Sequence, residues 1–187
     1  FVWCSSKDGD SLMAVIEALE TVYLEADAAS VTIDSINQGY ETLIVHASQR
    51  STNDSGGVAF EIECNGTTTE HHTTYTMVGA NSNEYGQENR ILNFWKIYDG
   101  IHGTKAETPE YATMRLIIPD YAQADTNKSM NIMLGDALTY ASDYRVTWGG
   151  GNYDQTSHPA LTQLRFRSAS GNLTRGSQYT LFGVKNS

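Results

Sequence analysis

Short runs in which apolar and polar residues alternate, separated by clusters of Gly, Asn, Asp and Ser, fill most of this chain. Runs of this kind form strands that bury one face and wet the other. The clearest is Val58-Ala59-Phe60-Glu61-Ile62-Glu63-Cys64, with Val58, Phe60, Ile62 and Cys64 on one face and both glutamates on the other. Asn65-Gly66 follows, two residues that tolerate positive φ, and it predicts a hairpin into the Thr-rich run ending at Tyr75-Thr76-Met77-Val78. β-Branched and aromatic residues predict further strands at Val31–Ile36, Thr42–Ser48, Arg90–Tyr98, Tyr111–Ile118, Ser129–Leu134, Tyr144–Trp148, Leu161–Arg167 and Gln178–Val184. About ten short strands suit an all-β, two-sheet antiparallel sandwich. Met13–Leu24 fits two patterns. Val15, Ile16, Leu19, Val22 and Tyr23 follow helical spacing, Ile16, Ala18, Val22 and Leu24 serve a strand, and periodicity alone slightly favours the helix.

No repeat, heptad or low-complexity tail interrupts this pattern. The only prolines are Pro109, Pro119 and Pro159, and the longest loops are expected at Gly79–Glu88 and Asp99–Glu110. With 187 residues, 40% of them hydrophobic, the chain can bury one sizeable core. Residues 13–187 are expected to form a single domain behind an N-terminal arm or leader at 1–12.

Charge narrows the partners. Twenty-two acidic residues against 12 basic ones leave a formal charge of −10, which opposes contact with polyanions, so no nucleic acid is expected as a partner. No stretch approaches the roughly 20 apolar residues that cross a bilayer as a helix, and the opening Phe1-Val2-Trp3-Cys4-Ser5-Ser6-Lys7 does not read as a signal peptide. No membrane partner is expected either. The two cysteines, Cys4 and Cys64, are expected to be free thiols, because two do not make a disulfide framework.

Candidate chemistry is sparse. The histidines His46, His71, His72, His102 and His158 sit in no recognisable catalytic setting. His71-His72 resembles a metal pair, yet adjacent strand residues point to opposite faces. Asp8-Gly9-Asp10-Ser11 lacks the remaining ligands of a calcium loop. Gly149-Gly150-Gly151 has no following Lys-Ser/Thr to cradle phosphate and reads as a strand end that must turn. Four Asn-X-Ser/Thr triplets, beginning at Asn53, Asn65, Asn127 and Asn172, are what a Ser/Thr-rich chain generates by chance. Glu61 and Glu63 share a strand face but are expected to face solvent rather than a cleft, where a glycan hydrolase would need them. No enzyme activity, cofactor or metal is therefore expected. Trp95, Tyr144, Trp148 and Tyr153 are expected in the core or between sheets, with stacking on a sugar or a partner as the other use.

At the C-terminus the residues become more specific. Leu161-Thr162-Gln163-Leu164-Arg165-Phe166-Arg167, then Ser168-Ala169-Ser170-Gly171-Asn172-Leu173, then Gly176-Ser177-Gln178-Tyr179-Thr180-Leu181-Phe182-Gly183-Val184 resembles a family of tailed-bacteriophage virion proteins. Its members end in a strand, a Ser-Gly-Asn-like turn and an "S-x-x-T-L-Y-G-I" strand. Tyr40 to Arg50 is similar to the family's "L-x-L-x-x-x-x-R" strand. Met114 to Tyr121 with Asn127-Lys128-Ser129 is similar to its "I-P-N-Y…K-S" element, and Trp148-Gly149-Gly150-Gly151 with Ala160-Leu161-Thr162 to its "G-x-W…T-A-I-T" passage. Phe182 stands where Tyr is usual, and Asp120 where Asn is usual.

The resemblance implies a jelly-roll virion component and tips Met13–Leu24 toward an opening strand. Acidity favours a place on the outer capsid surface, or on the tail, over the DNA-filled lumen. The leading expectation is a capsid decoration (cement) protein whose partners are the major capsid protein and copies of itself, as a homotrimer. Phe1, Val2 and Trp3 are the candidate anchors in that role. The rival is a tail- or head-fibre module binding a host receptor or surface glycan through Tyr85, Tyr98 and Tyr153 in exposed loops.

Overall fold

The computed structural model describes residues 14–53, 57–66, 71–80, 83–92, 94–102, 110–138, 143–154 and 159–186. Among them every regular element is a strand: β1 (Ala14–Tyr23), β2 (Val31–Ile33), β3 (Thr42–Gln49), β4 (Gly57–Cys64), β5 (His71–Ala80), β6 (Asn83–Leu92), β7 (Trp95–His102), β8 (Ala112–Pro119), β9 (Lys128–Leu138), β10 (Asp143–Asp154), β11 (Leu164–Ser168) and β12 (Gln178–Asn186). They form an eight-stranded sheet in the order β1-β12-β3-β8-β9-β10-β5-β6 and a four-stranded sheet in the order β2-β11-β4-β7. All pairings are antiparallel.

Once the hairpins β5–β6 and β9–β10 are set aside, the remaining eight strands divide into β1-β12-β3-β8 and β2-β11-β4-β7, each step along the chain changing sheet except that from β4 to β7. First pairs with last and the chain then winds inward, which is the strand order of a jelly roll. The two hairpins widen one sheet only, and the sandwich is therefore asymmetric.

Alternation along each strand builds the core. Leu43, Val45 and Ala47 of β3, Leu116 and Ile118 of β8, and Ile132 and Leu134 of β9 are buried from the large sheet, facing Phe60 and Ile62 of β4, Ile97 of β7 and Leu164 of β11. Aromatic rings bridge the layers: Phe166 of β11 stacks on Tyr179 of β12 at 5.0 Å and on Phe60 at 6.1 Å. The buried Tyr179 hydroxyl donates to Gln49 Oε1 at 2.8 Å. Trp95 of β7 meets the Tyr153 ring edge-on at 6.4 Å and donates through Nε1 to the Asn152 carbonyl oxygen at 3.0 Å. Cys64 is fully buried on β4, and Cys4 lies outside the described residues.

Several expectations change. Residues 14–23 form a strand, and the helix-like spacing has a local cause: a bulge between Ala18 and Glu20 shifts the phase of β1. Leu19 and Val22, three apart, thereby both pack on the core. Asn65 and Gly66 do adopt positive φ, 54° and 63°, but β4 and β5 are not a hairpin. Both edges of β4 are taken by β11 and β7, so the chain crosses to the other sheet. Asn65 instead caps the start of β11, its Oδ1 accepting from the Thr162 and Gln163 amides while Nδ2 donates to the Ala160 carbonyl oxygen.

Arg90–Tyr98 is two strands, β6 and β7, in different sheets, and most of Gly79–Glu88 belongs to the β5–β6 hairpin rather than to a loop. Gly149–Gly151 continues β10 without a turn, paired in unbroken register with both β9 and β5. The turn glycines lie elsewhere: Gly171 and Gly176 have φ of 77° and 89°. A Cβ on Gly171 would come within 2.8 Å of Thr52 Oγ1 and 2.9 Å of the Asn53 amide nitrogen, so the Ser-Gly-Asn turn needs its glycine.

Candidate contact face

Residues directly opposite one another in an antiparallel sheet share a face, so the register assembles the outer surface of the eight-stranded sheet row by row. One row runs Ile16, Val184, Thr42, Pro119, and the next Ala18, Phe182, Ile44, Ile117, Asn131, Gly150. The third runs Thr21, Thr180, His46, Arg115, Met133, Trp148, and the fourth Tyr23, Gln178, Ser48, Thr113, Gly135, Val146. Side-chain contacts agree with this assignment: Thr21 Oγ1 donates to Thr180 Oγ1 at 3.2 Å, and the His46 and Phe182 rings meet edge-on at 5.3 Å.

The face is apolar to an unusual degree for a wetted surface. Ile16 is 63% exposed, Met133 60%, Val146 48% and Trp148 41%. Met133 and Trp148 are direct cross-strand neighbours, and Val146 lies two residues before Trp148 on the same strand face. Ile44, Ile117, Phe182 and Val184 are half-buried on the same surface. Gly150 carries no side chain and leaves the surface beside Trp148 flat. The exposed apolar side chains thus lie next to one another on this surface rather than scattered singly.

The outside of the four-stranded sheet is different. Arg167 Nε meets Glu61 Oε2 at 2.7 Å, Arg167 reaches Glu63 Oε1 at 3.2 Å, and Arg165 meets Glu63 Oε2 at 3.2 Å. The Arg167 guanidinium also lies 5.0 Å from the centre of the Phe94 ring. Glu61 is buried rather than solvent-facing, because this ladder covers it. The two carboxylates are held by guanidinium groups on a sheet face.

The residues singled out from the sequence do not converge. Phe1, Val2 and Trp3 lie outside the described residues. Tyr85 and Tyr98 are on strands β6 and β7, not in loops, and their side chains lie outside the described residues. For Tyr153 the exposed-loop role is corrected and the expected core place holds: it is on β10, 2% exposed and packed on Trp95, because its position on the strand points it inward. Trp148, expected in the core, stands on the outside.

Ile16, Arg115, Met133 and Val146 were missed, though the sequence carried a signal for such a face. Leu43-Ile44-Val45, Leu116-Ile117-Ile118 and Ile132-Met133-Leu134 are apolar in both strand phases. A sandwich strand with one wet face needs only one apolar phase. The middle residue of each triplet turns outward.

No family model matches the chain, and no curated protein does. A chain in the structure of infectious bursal disease virus, Gt strain, is similar at 11% identity and a TM-score of 0.11, over 95% of this chain and 40% of that one. A chain of infectious bursal virus derived T=1 particles is similar at 11% identity and a TM-score of 0.13, over 95% and 42%. This chain spans about two fifths of the length of each. Backbones that differ this much carry no functional likeness.

Proposed function

We propose that this chain is a non-enzymatic structural protein of a tailed-phage virion, a decoration (cement) protein that binds the outer surface of the capsid shell together with copies of itself as a trimer. The observation that carries the reading is the apolar outer face of the large sheet, which a protein working alone in water would gain nothing by exposing. The jelly-roll strand order suits a stiff module that resists shell pressure without changing shape. The family-like C-terminal segment supports it too, since its strand, glycine turn and closing strand are β11, the bend at Gly171 and β12. An excess of acidic residues suits a place away from packaged DNA. Many modest contacts, repeated over the shell, would sum by avidity.

A cryo-EM map of intact particles tests this directly: hundreds of copies on the shell exterior are expected, and density confined to the tail or the lumen overturns it. One feature favours a second reading as a tail- or head-fibre module that binds a receptor or surface glycan. Trp148 beside the flat Gly149–Gly151 run forms an aromatic platform of the kind that stacks on sugar rings. A few dozen copies per particle or fewer would favour it.

A further inference from the structure

Acidic residues outnumber basic ones in this chain by 22 to 12, yet none of the positions in the four outer rows from β1 to β10 is Asp or Glu. Two of the rows reach a carboxylate residue only at register positions Glu84 and Glu88, on the edge strand β6. From β1 to β10 the only ionisable residues of the rows are His46, Arg115 and Tyr23, and the first two are adjacent on paired strands. Arg115, Met133 and Trp148 follow one another across three neighbouring strands. Arg, Met and Trp are residue types enriched where protein interfaces hold their binding energy.

Resting on the cement reading, we propose that this face is the seat on the capsid shell, and that the shell surface it covers is apolar with a carboxylate placed opposite Arg115. Charge decides among the occupants. A second copy presenting the same face would offer Arg115 carboxylate residues only at Glu84 and Glu88 on the edge strand, and none in the rows from β1 to β10. Nucleic acid is opposed by the net charge of −10 and by Arg115 being the one Lys or Arg in the rows from β1 to β10. A glycan needs hydrogen-bonding groups around the stacking ring, whereas Trp148 has Met133 directly beside it and Val146 along its own strand. A carboxylate-bearing apolar protein surface satisfies both the hydrophobic rows and the exposed Arg115 guanidinium.

The test uses shells purified from the phage encoding this chain after deletion of its gene, mixed with the full chain and sedimented. Wild type and Thr32→Glu, a change on the other sheet, are expected to co-sediment equally. Arg115→Glu and Trp148→Ser are each expected to bind at least about tenfold more weakly, with unchanged circular dichroism and melting temperature. Wild-type binding should also weaken as salt rises, and Arg115→Ala should flatten that dependence. If wild type binds and the two face variants bind as well, this seat is wrong while the cement reading stands. Binding indifferent to salt overturns the carboxylate partner. If wild type fails to bind shells at all, the cement reading itself falls. Sedimentation velocity of the chain alone supplies the remaining outcome: self-association abolished by Arg115→Glu makes the occupant a second copy and overturns the proposal.

Discussion

On the outside of the four-stranded sheet Glu61 and Glu63 meet Arg165 and Arg167, whereas on the outside of the eight-stranded sheet Ile16, Met133, Val146 and Trp148 meet water. Both surfaces cover the same core, and both are built from alternating strands. The difference lies in whether each face satisfies itself. In the ladder every named charge has its partner across one strand, so that surface has done its electrostatic work within the chain. The large sheet leaves apolar area and the Arg115 side chain exposed on its outside, with no ion pair across its strands among the described residues. A face that is not needed for folding is one on which contacts with a second protein can be placed at little cost to stability.

The comparison can be broken from beneath. Phe166→Ala removes the ring that joins Phe60 to Tyr179 under both faces, and it should cost about 3–5 kcal/mol in urea unfolding. A loss below about 1 kcal/mol would mean that the stack does not hold the layers together. On the ladder, Arg167→Ala leaves Glu61 covered and without its guanidinium. A loss of about 2 kcal/mol is expected, less than for a fully buried pair because the Arg167 side chain is 31% exposed. The same substitution costing nothing would erase the contrast between the faces.

Tyr179 sharpens the account of the shared core. Burial pushes its phenol well above the ordinary value of 10.0, so the folded chain keeps a proton that the unfolded chain releases. That contribution is complete below about pH 10 and is lost as pH rises beyond it. Tyr179→Phe should cost about 1 kcal/mol at neutral pH, through the lost donor to Gln49, and should flatten the alkaline decline measured by thermal melts. Smallest of all, Met133→Ser and Trp148→Ser should each shift stability by no more than about 0.5 kcal/mol. A large destabilisation there would show that the outer face supports the fold rather than a partner.

Much of the strand content was legible because alternation is a local property. Val58–Cys64 and Gln178–Val184 could be placed within a residue or two at each end, and the glycine turns at Gly171 and Gly176 were readable from residue type. What misled was phase and partner. The bulge in β1 imitated a helical period, and Asn65-Gly66 marked a true reversal of backbone direction but not a hairpin. Tyr153 and Trp148, both expected in the core, parted, Tyr153 inside and Trp148 outside, because the unbroken pairing of β10 through its three glycines sets which residues turn inward.

Composition and pattern by themselves determined an acidic all-β chain, strands with an apolar face, and turn residues at several of the reversals. Only the tertiary structure decided which sheet each strand joined, which of two apolar phases faced out, and that Glu61 and Glu63 would be locked to arginines about a hundred residues further along the chain. The physical reason is the range of the interactions. Side-chain alternation is imposed by the backbone of a single strand, whereas register and sheet membership are settled by competition among all strand edges at once. An apolar contact face is recognisable only after that competition has buried everything else.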